Sequence, residues 1–401
     1  MANTVLTPTA LTKESLMQTM NNLVLAKNVT RKYDDRFAVS GAKIGNSLDI
    51  RKENRFTVST GQSLSLQDVL EESVTLTLDK QKHVDFQFSS NELSLSIDEF
   101  SDRYIKPATL ELANQIDYDL SALYKDVYHS VGTPGTIMTD LSDALDAGRK
   151  LKEAGVPVGS KLASVIDAEA EASLINGLKG LFQSSSEIAK QYEKGQMGMA
   201  AGFKWYMDQN IQSHTVGAHG GTPLINGASQ TGSSLITDGW TASTAVLKEG
   251  DVFNIAGVYS INPKSRQATK QLQDFVVTAD GTSDGSGNLT VSISPSIVTS
   301  GARQTVSGSP ADNAAITVKG TASTAYSQHL AFHEQAFALG CADLLLPKGV
   351  DMASRASDSQ TGMSIRLVRA FDINNDRFPC RLDILYGVKT IKPEFACRIF
   401  N

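Results

Sequence analysis

One stretch, residues 97–131, constrains this chain more than any other. Its apolar positions are Ile97, Phe100, Tyr104, Ala108, Leu112, Ile116, Leu120, Leu123, Val127 and Val131. Each step is three or four residues, which places them on one face of an α-helix. Asp98, Asp102, Arg103, Lys106, Glu111, Asp119 and Lys125 fall on the other face. Pro107 lacks an N–H and disfavours helix at the residue before it. The pattern therefore predicts a short helix near 97–104, then a long one with Pro107 in its first turn. Running to Ser130, that helix would have roughly 24 residues and span about 36 Å. It carries no catalytic constellation and reads as a spine for sheets to pack on.

The 401 residues exceed one ordinary core, so two or three domains are expected. A hydrophobic fraction of 41% with 20% charged residues describes a folded, water-soluble chain. A net charge of −6 and a pI near 5.6 argue against a general nucleic-acid binder. No apolar run approaches the ~18 residues of a membrane span. The opening Met-Ala-Asn-Thr-Val-Leu-Thr-Pro lacks the basic and apolar regions of a signal peptide. Cys341, Cys380 and Cys397 are odd in number and widely spaced, which suits a reducing cytoplasm.

Along the chain, residues 11–27 suggest one amphipathic helix, with Thr9 as its cap. Alternation at Leu48/Ile50, Phe56/Val58, Val74/Leu76/Leu78 and Val84/Phe86/Phe88 predicts strands. Between Arg51 and Glu72 the chain makes an excursion, basic on its first leg (Arg51, Lys52, Arg55) and acidic on its second (Asp68, Glu71, Glu72). These six residues are the candidate inter-subunit contacts; the alternative is a hairpin with a solvated face. Helical spacing follows at 141–151, 167–182 and 185–194, with strands at 161–166 and 203–207, a mixed α/β pattern. From Ser213 to Ser327 the composition turns to Gly, Ser, Thr and short β-prone runs, predicting a small all-β, barrel-like module. Helical spacing resumes at 328–341, and strands follow near 365–368, 380–386 and 388–399. An α/β chain interrupted by a β module and then resumed is an insertion.

Motifs that carry chemistry are weak. His329 and His333 sit four apart with Glu334 next, but His-Glu-x-x-His is not completed, and surface or interface histidines are the preferred reading. His214 and His219 flank Gly-rich sequence and read as a flexible approach to the β module. Asp280, Asp284 and Asn288 lack the terminal Glu of a calcium loop and read as a hairpin turn. The cysteines read as buried, inert thiols. Dinucleotide and P-loop motifs are absent. The expectation is no catalytic residue, no cofactor and no metal.

The layout resembles the major capsid proteins of tailed bacteriophages, and within them the podophage coat-protein family, whose shell fold (HK-ninety-seven-type) carries an inserted β domain. The passages that carry the resemblance are Gly45–Val58, Ser73–Phe86, Ile105–Ala108, Gly195–Phe203, Leu247–Val258 and Cys380–Glu394. Together they span nearly the whole chain in the family's order.

The resemblance implies an α+β shell fold with these parts: an N-terminal arm (1–44), strands with the extended E-loop (45–82), and a peripheral domain with the spine helix (83–130). An axial domain follows in two stretches (131–213 and 327–375), interrupted by the inserted β domain (214–326). C-terminal strands of the peripheral domain (376–401) complete it. It implies a coat protein that assembles through hexamers and pentamers into an icosahedral shell around double-stranded DNA. Scaffolding protein and portal are implied partners, assembly is implied in the bacterial cytoplasm, and no membrane is involved. The alternatives are the shell of an encapsulin-like protein nanocompartment and, further off, a hydrolase with a β-rich accessory module.

Overall fold

A computed structural model describes residues 8–31, 47–64, 66–69, 71–89, 104–157, 159–178, 198–358 and 362–401. The expected helix near 97–104 lies almost wholly outside these, as do the helix at 185–194 and much of the arm. The chain forms two compact units.

The first unit comprises Met1–Arg51, Ser73–Leu120 and Phe337–Ile391. Its centre is the long strand Arg377–Thr390, which pairs antiparallel with Lys80–Ser89, Phe337–Ala342 and Ser364–Arg369; Met352–Ser357 pairs with the last of these. Leu382, Ile384 and Tyr386 are buried on one face, and Asp383 between them is buried as well. On the opposite face Arg381 stands directly across from Asp85, and Arg366 from Asp383. The Arg366–Asp383 ion pair closes to 2.5 Å.

The spine helix runs Lys106–Ser121 and continues as a 3-10 turn, Ala122–Asp126. Pro107 is in its first turn, as its ring geometry requires. The helix is shorter than its apolar spacing predicts, because Val127 turns extended (φ −87°, ψ 119°). Ala108, Leu112, Ile116 and Leu120 form its buried stripe. The carboxylate of Asp117 accepts the backbone N–H groups of Val24 (2.6 Å) and Ala26 (2.9 Å), fixing the segment that follows the first helix. That first helix spans Pro8–Asn22, so Thr9 lies inside it and does not cap it. It buries Leu11, Ser15, Leu16 and Thr19. Tyr386 Oη donates to Asp119 (2.8 Å), which also pairs with Lys80 (3.2 Å).

The second unit comprises Lys52–Glu72, Ser121–Ala336 and Lys392–Asn401. A mixed sheet runs in the order 130–131, 396–400, 325–333, 162–166, 203–207, 199–200. Helices Ser142–Glu153 and Ala168–Leu178 contribute Ala144, Ala147, Leu151, Ala170 and Leu174 to a core shared with Leu162, Ile166, Phe203 and Ile399. The helix expected at 328–341 is replaced by two strands, Ala325–His333 and Phe337–Ala342, of which Ala325–His333 is the central strand here. It is buried on both faces, so its sequence shows no alternation.

Within the same unit a six-stranded sheet follows the order 316–318, 252–261, 268–277, 289–297, 232–240, 221–225. Its outer strands approach through a Leu224–Ala315 bridge, and Ile225 N donates to Ala314 O (3.0 Å). The result is a partly closed barrel whose core includes Trp240, Phe253, Phe275, Val291 and Ile316. Ser213–Thr215, leading in, pairs antiparallel with Ala325–Ser327, leading out.

Candidate functional site

The charged excursion of the sequence is an extended loop. Its legs begin at the paired strands Ser47–Arg51 and Ser73–Thr77. One further backbone bond follows, from Lys52 N to Glu72 O (2.7 Å). Beyond it no strand forms among the described loop residues, so the alternation at Phe56 and Val58 does not mark a strand. The legs are clasped instead by a side chain. Gln67 Oε1 accepts Thr57 N–H (2.7 Å) and Gln67 Nε2 donates to Thr57 O (2.5 Å), so one amide replaces a backbone partner. Past the clasp the apolar side chains stand in solvent: Val58 is 98% exposed, Leu64 84% and Leu66 86%.

The six candidate contact residues divide by position. Lys52 and Glu72 face each other at 4.0 Å, Arg55 reaches Glu394 (3.1 Å), and Glu72 also meets Arg303. Asp68 is exposed near the tip, and Arg51 and Glu71 are exposed at the base. Two further contacts hold the base: Lys392 with Glu53 (3.1 Å), and Arg266 Nη2 donating to Phe56 O (2.8 Å). The loop base thus borders a polar cleft of about 420 Å³, lined also by His129, Lys150 and Asp274. Arg266, Arg303, Lys392 and Glu394 have no local signal in the sequence, since folding brings them in from far along the chain.

Beneath the cleft is a buried charge cluster. Asp274 accepts from Lys150 (2.5 Å), Lys319 (2.8 Å), Asn254 (2.7 Å) and the N–H of Ser130 (3.2 Å). Burial pushes its carboxyl up, but attraction to Lys319 and Lys150 outweighs this and holds it well below the usual carboxylate range. Burial, reinforced by Lys150, lowers the His129 imidazole to about 3. A second buried chain runs from Tyr124 Oη to His214 Nδ1 (3.0 Å) and from His214 Nε2 to Asp251 (2.8 Å). His214, expected in a flexible approach, is therefore fixed at the foot of the barrel. Arg398, fully buried, donates to Val127 O (2.8 Å) and lies over the Tyr124 ring.

The histidines His329 and His333 lie on a strand and are buried, so they are not surface groups. His329 stands 3.1 Å from Asp167. The Asp284–Asn288 segment is a turn in which Asp284 Oδ1 accepts the N–H groups of Ser286 and Asn288 (both 2.8 Å). All three cysteines are buried free thiols; burial raises Cys380 to about 11 and Cys397 to about 12. Among the described residues no three His, Cys, Asp or Glu side chains converge as metal ligands. No described helix is long and apolar enough to cross a membrane. What the arrangement offers is gripping and burying surfaces.

Comparison with known proteins accounts for such a site. No curated protein sequence matches the chain. Among solved structures, the capsid of Ralstonia phage GP4 superposes with a TM-score of 0.50 at 8% identity, over 93% of this chain and 86% of that one. A structure from Mycobacterium phage Che8 gives 0.47 at 14% identity, over 94% and 90%. The similarity to the GP4 capsid establishes a capsid-shell fold. The profile of the P22 coat protein (gene protein 5) family matches residues 1–400. The chain belongs to the P22 coat protein family and is a major capsid protein, a structural component of a bacteriophage shell.

Proposed function

We propose that this coat protein assembles through hexamers and pentamers into an icosahedral shell around double-stranded DNA, with each extended loop seated on a neighbouring copy. The observation that carries this reading is the bare tip of the loop. Beyond the clasp Val58, Leu64 and Leu66 stand exposed on a segment without sheet pairing, and Phe56 and Val69 are exposed just below it. Such a patch calls for a partner surface. Repeated over a closed lattice, a modest contact of this kind becomes strong through multivalency. Asp68 lies beside the tip, and Arg51 and Glu71 flank the base, where they meet the same neighbour. Lys52, Arg55 and Glu72 share that edge while also engaging partners within their own chain.

The division of labour follows the family layout: arm 1–44, loop strands 45–82, peripheral domain 83–130 and 376–401, axial domain 131–213 and 327–375, inserted β domain 214–326. Paired strands at both roots of the inserted segment support that last assignment. A net charge of −6 suits a wall that encloses DNA without gripping it. Scaffolding protein and portal are the expected partners, and assembly takes place in the host cytoplasm. Family membership favours this role over a nanocompartment shell or a hydrolase.

The test is to express the chain alone and with a candidate scaffolding protein, and to image the products by negative-stain electron microscopy. Closed, uniform shells are expected. Monodisperse monomers in both preparations at high concentration would overturn the proposal.

A further inference from the structure

We infer that the barrel is a brace for the extended loop: Arg266 and Arg303, from two barrel turns, hold the loop base so that its apolar tip is presented ready for capture. The inference rests on the shell reading above and assigns the barrel a part in it.

The two arginines act at different points of the loop. Arg303 pairs with Glu72 on the returning leg, and Arg266 Nη2 donates to Phe56 O on the outgoing leg. One contact uses charge and the other a main-chain carbonyl, so together they fix both legs without needing a matching side-chain pattern. The Gln67 clasp then joins the legs just beyond. Arg266 is itself held. It has φ +55°, a left-handed conformation unfavourable for a side chain of this kind. The turn that imposes it is closed by Asn262, whose Oδ1 accepts the N–H groups of Lys264 (2.9 Å) and Ser265 (3.1 Å), and whose O accepts Arg266 N–H (2.8 Å). A conformation kept against its preference at a contact is one the surroundings over-determine.

The contacts hold the loop without hiding it. An inhibitory clasp would cover the apolar tip, whereas here both arginines touch the base and Val58, Leu64 and Leu66 remain bare. Holding the base removes conformational freedom before association, so less is lost when the tip is captured by a second copy.

The test compares the full chain with Arg266→Ala/Arg303→Ala by hydrogen–deuterium exchange of the unassembled protein, and by the lowest concentration at which shells form. Loss of two partly exposed polar contacts is expected to raise exchange in peptides covering 52–72 about fivefold, with the 396–400 strand unchanged. The concentration needed for shells is expected to rise. Pairing Glu72→Arg with Arg303→Glu should return both readouts toward the unmodified chain, and Asn262→Ala should loosen the loop with both arginines in place. Unchanged exchange in 52–72, or assembly at a lower concentration than the unmodified chain, would overturn the brace. Absence of shells from the unmodified chain would count against the shell reading, while the exchange measurement would still decide the brace.

Discussion

Replacing Asp274 by Asn keeps the outline of the side chain and removes its charge. In the native chain this carboxylate is almost fully buried and receives four donors, two of them the ammonium groups of Lys150 and Lys319. Asn has one acceptor oxygen, and its own NH₂ would face those cations. Breaking a buried ion pair by removing one partner costs about 3–5 kcal/mol. The lysine side chains keep 13% and 23% of their exposure, so water screens them in part and the lower end, about 3 kcal/mol, is expected. Trp205 and Trp240 are buried in the same unit and report its unfolding in urea by fluorescence. The pH dependence has a definite sign. Because the folded carboxyl titrates below its unfolded value near 4, its stabilisation is complete above that pH and is lost as pH falls through the depressed value. The difference between Asp274→Asn and the native chain should therefore shrink from pH 5 to pH 2. Replacing all three charges together (Asp274→Leu, Lys150→Met, Lys319→Met) should recover much of the loss, since no unpaired charge remains. A penalty under about 1 kcal/mol at pH 7, or one that does not shrink in acid, would refute this account of the cluster.

Three further outcomes are expected. His129 stays neutral in the folded chain down to about pH 3, while the unfolded chain takes up its proton near 6.5. Stability should fall with pH across that interval, and His129→Gln should flatten this part of the urea-midpoint profile; an unchanged slope would contradict it. Native Cys341, Cys380 and Cys397 should resist a thiol reagent at pH 8 and react once urea unfolds the chain; labelling ahead of unfolding would show their burial to be wrong. Asp117→Ala leaves the N–H groups of Val24 and Ala26 without their charged acceptor, at a cost of about 2–3 kcal/mol. Exchange at those amides should then rise, and amides still protected in the variant would count against the anchor.

The elements legible in the sequence were those with one buried face. Val84, Phe86 and Phe88 alternate because Lys80–Ser89 lies on a half-covered sheet, and Leu112, Ile116 and Leu120 step by four because the spine buries one stripe. Residues 328–333 misled for the opposite reason. In Ala325–His333, Leu330, Ala331 and Phe332 are all fully buried, and a strand packed on both sides has no period to show. Phe56 and Val58 alternate without a ladder because their partner leg offers a glutamine amide in place of a strand. The loop's charges were visible in the sequence, but their partners Arg303 and Glu394 were not, and neither was the Asp274 cluster. These contacts span from 20 to 339 residues and are set by topology, which local spacing does not encode.

The antiparallel pairing of Ser213–Thr215 with Ala325–Ser327 means that the chain departs for the barrel and returns at neighbouring points. Directly paired residues in such a ladder have Cα atoms only about 5 Å apart. The barrel segment therefore leaves and rejoins the sheet at one fixed spacing, while Asp274, Lys319, Arg266 and Arg303 tie it to Lys150, Ser130 and the loop base. Val216 and Thr324, joined by a backbone hydrogen bond of 3.0 Å, hold the two ends of the barrel together, so a change confined to its far turns leaves its attachment to the sheet intact.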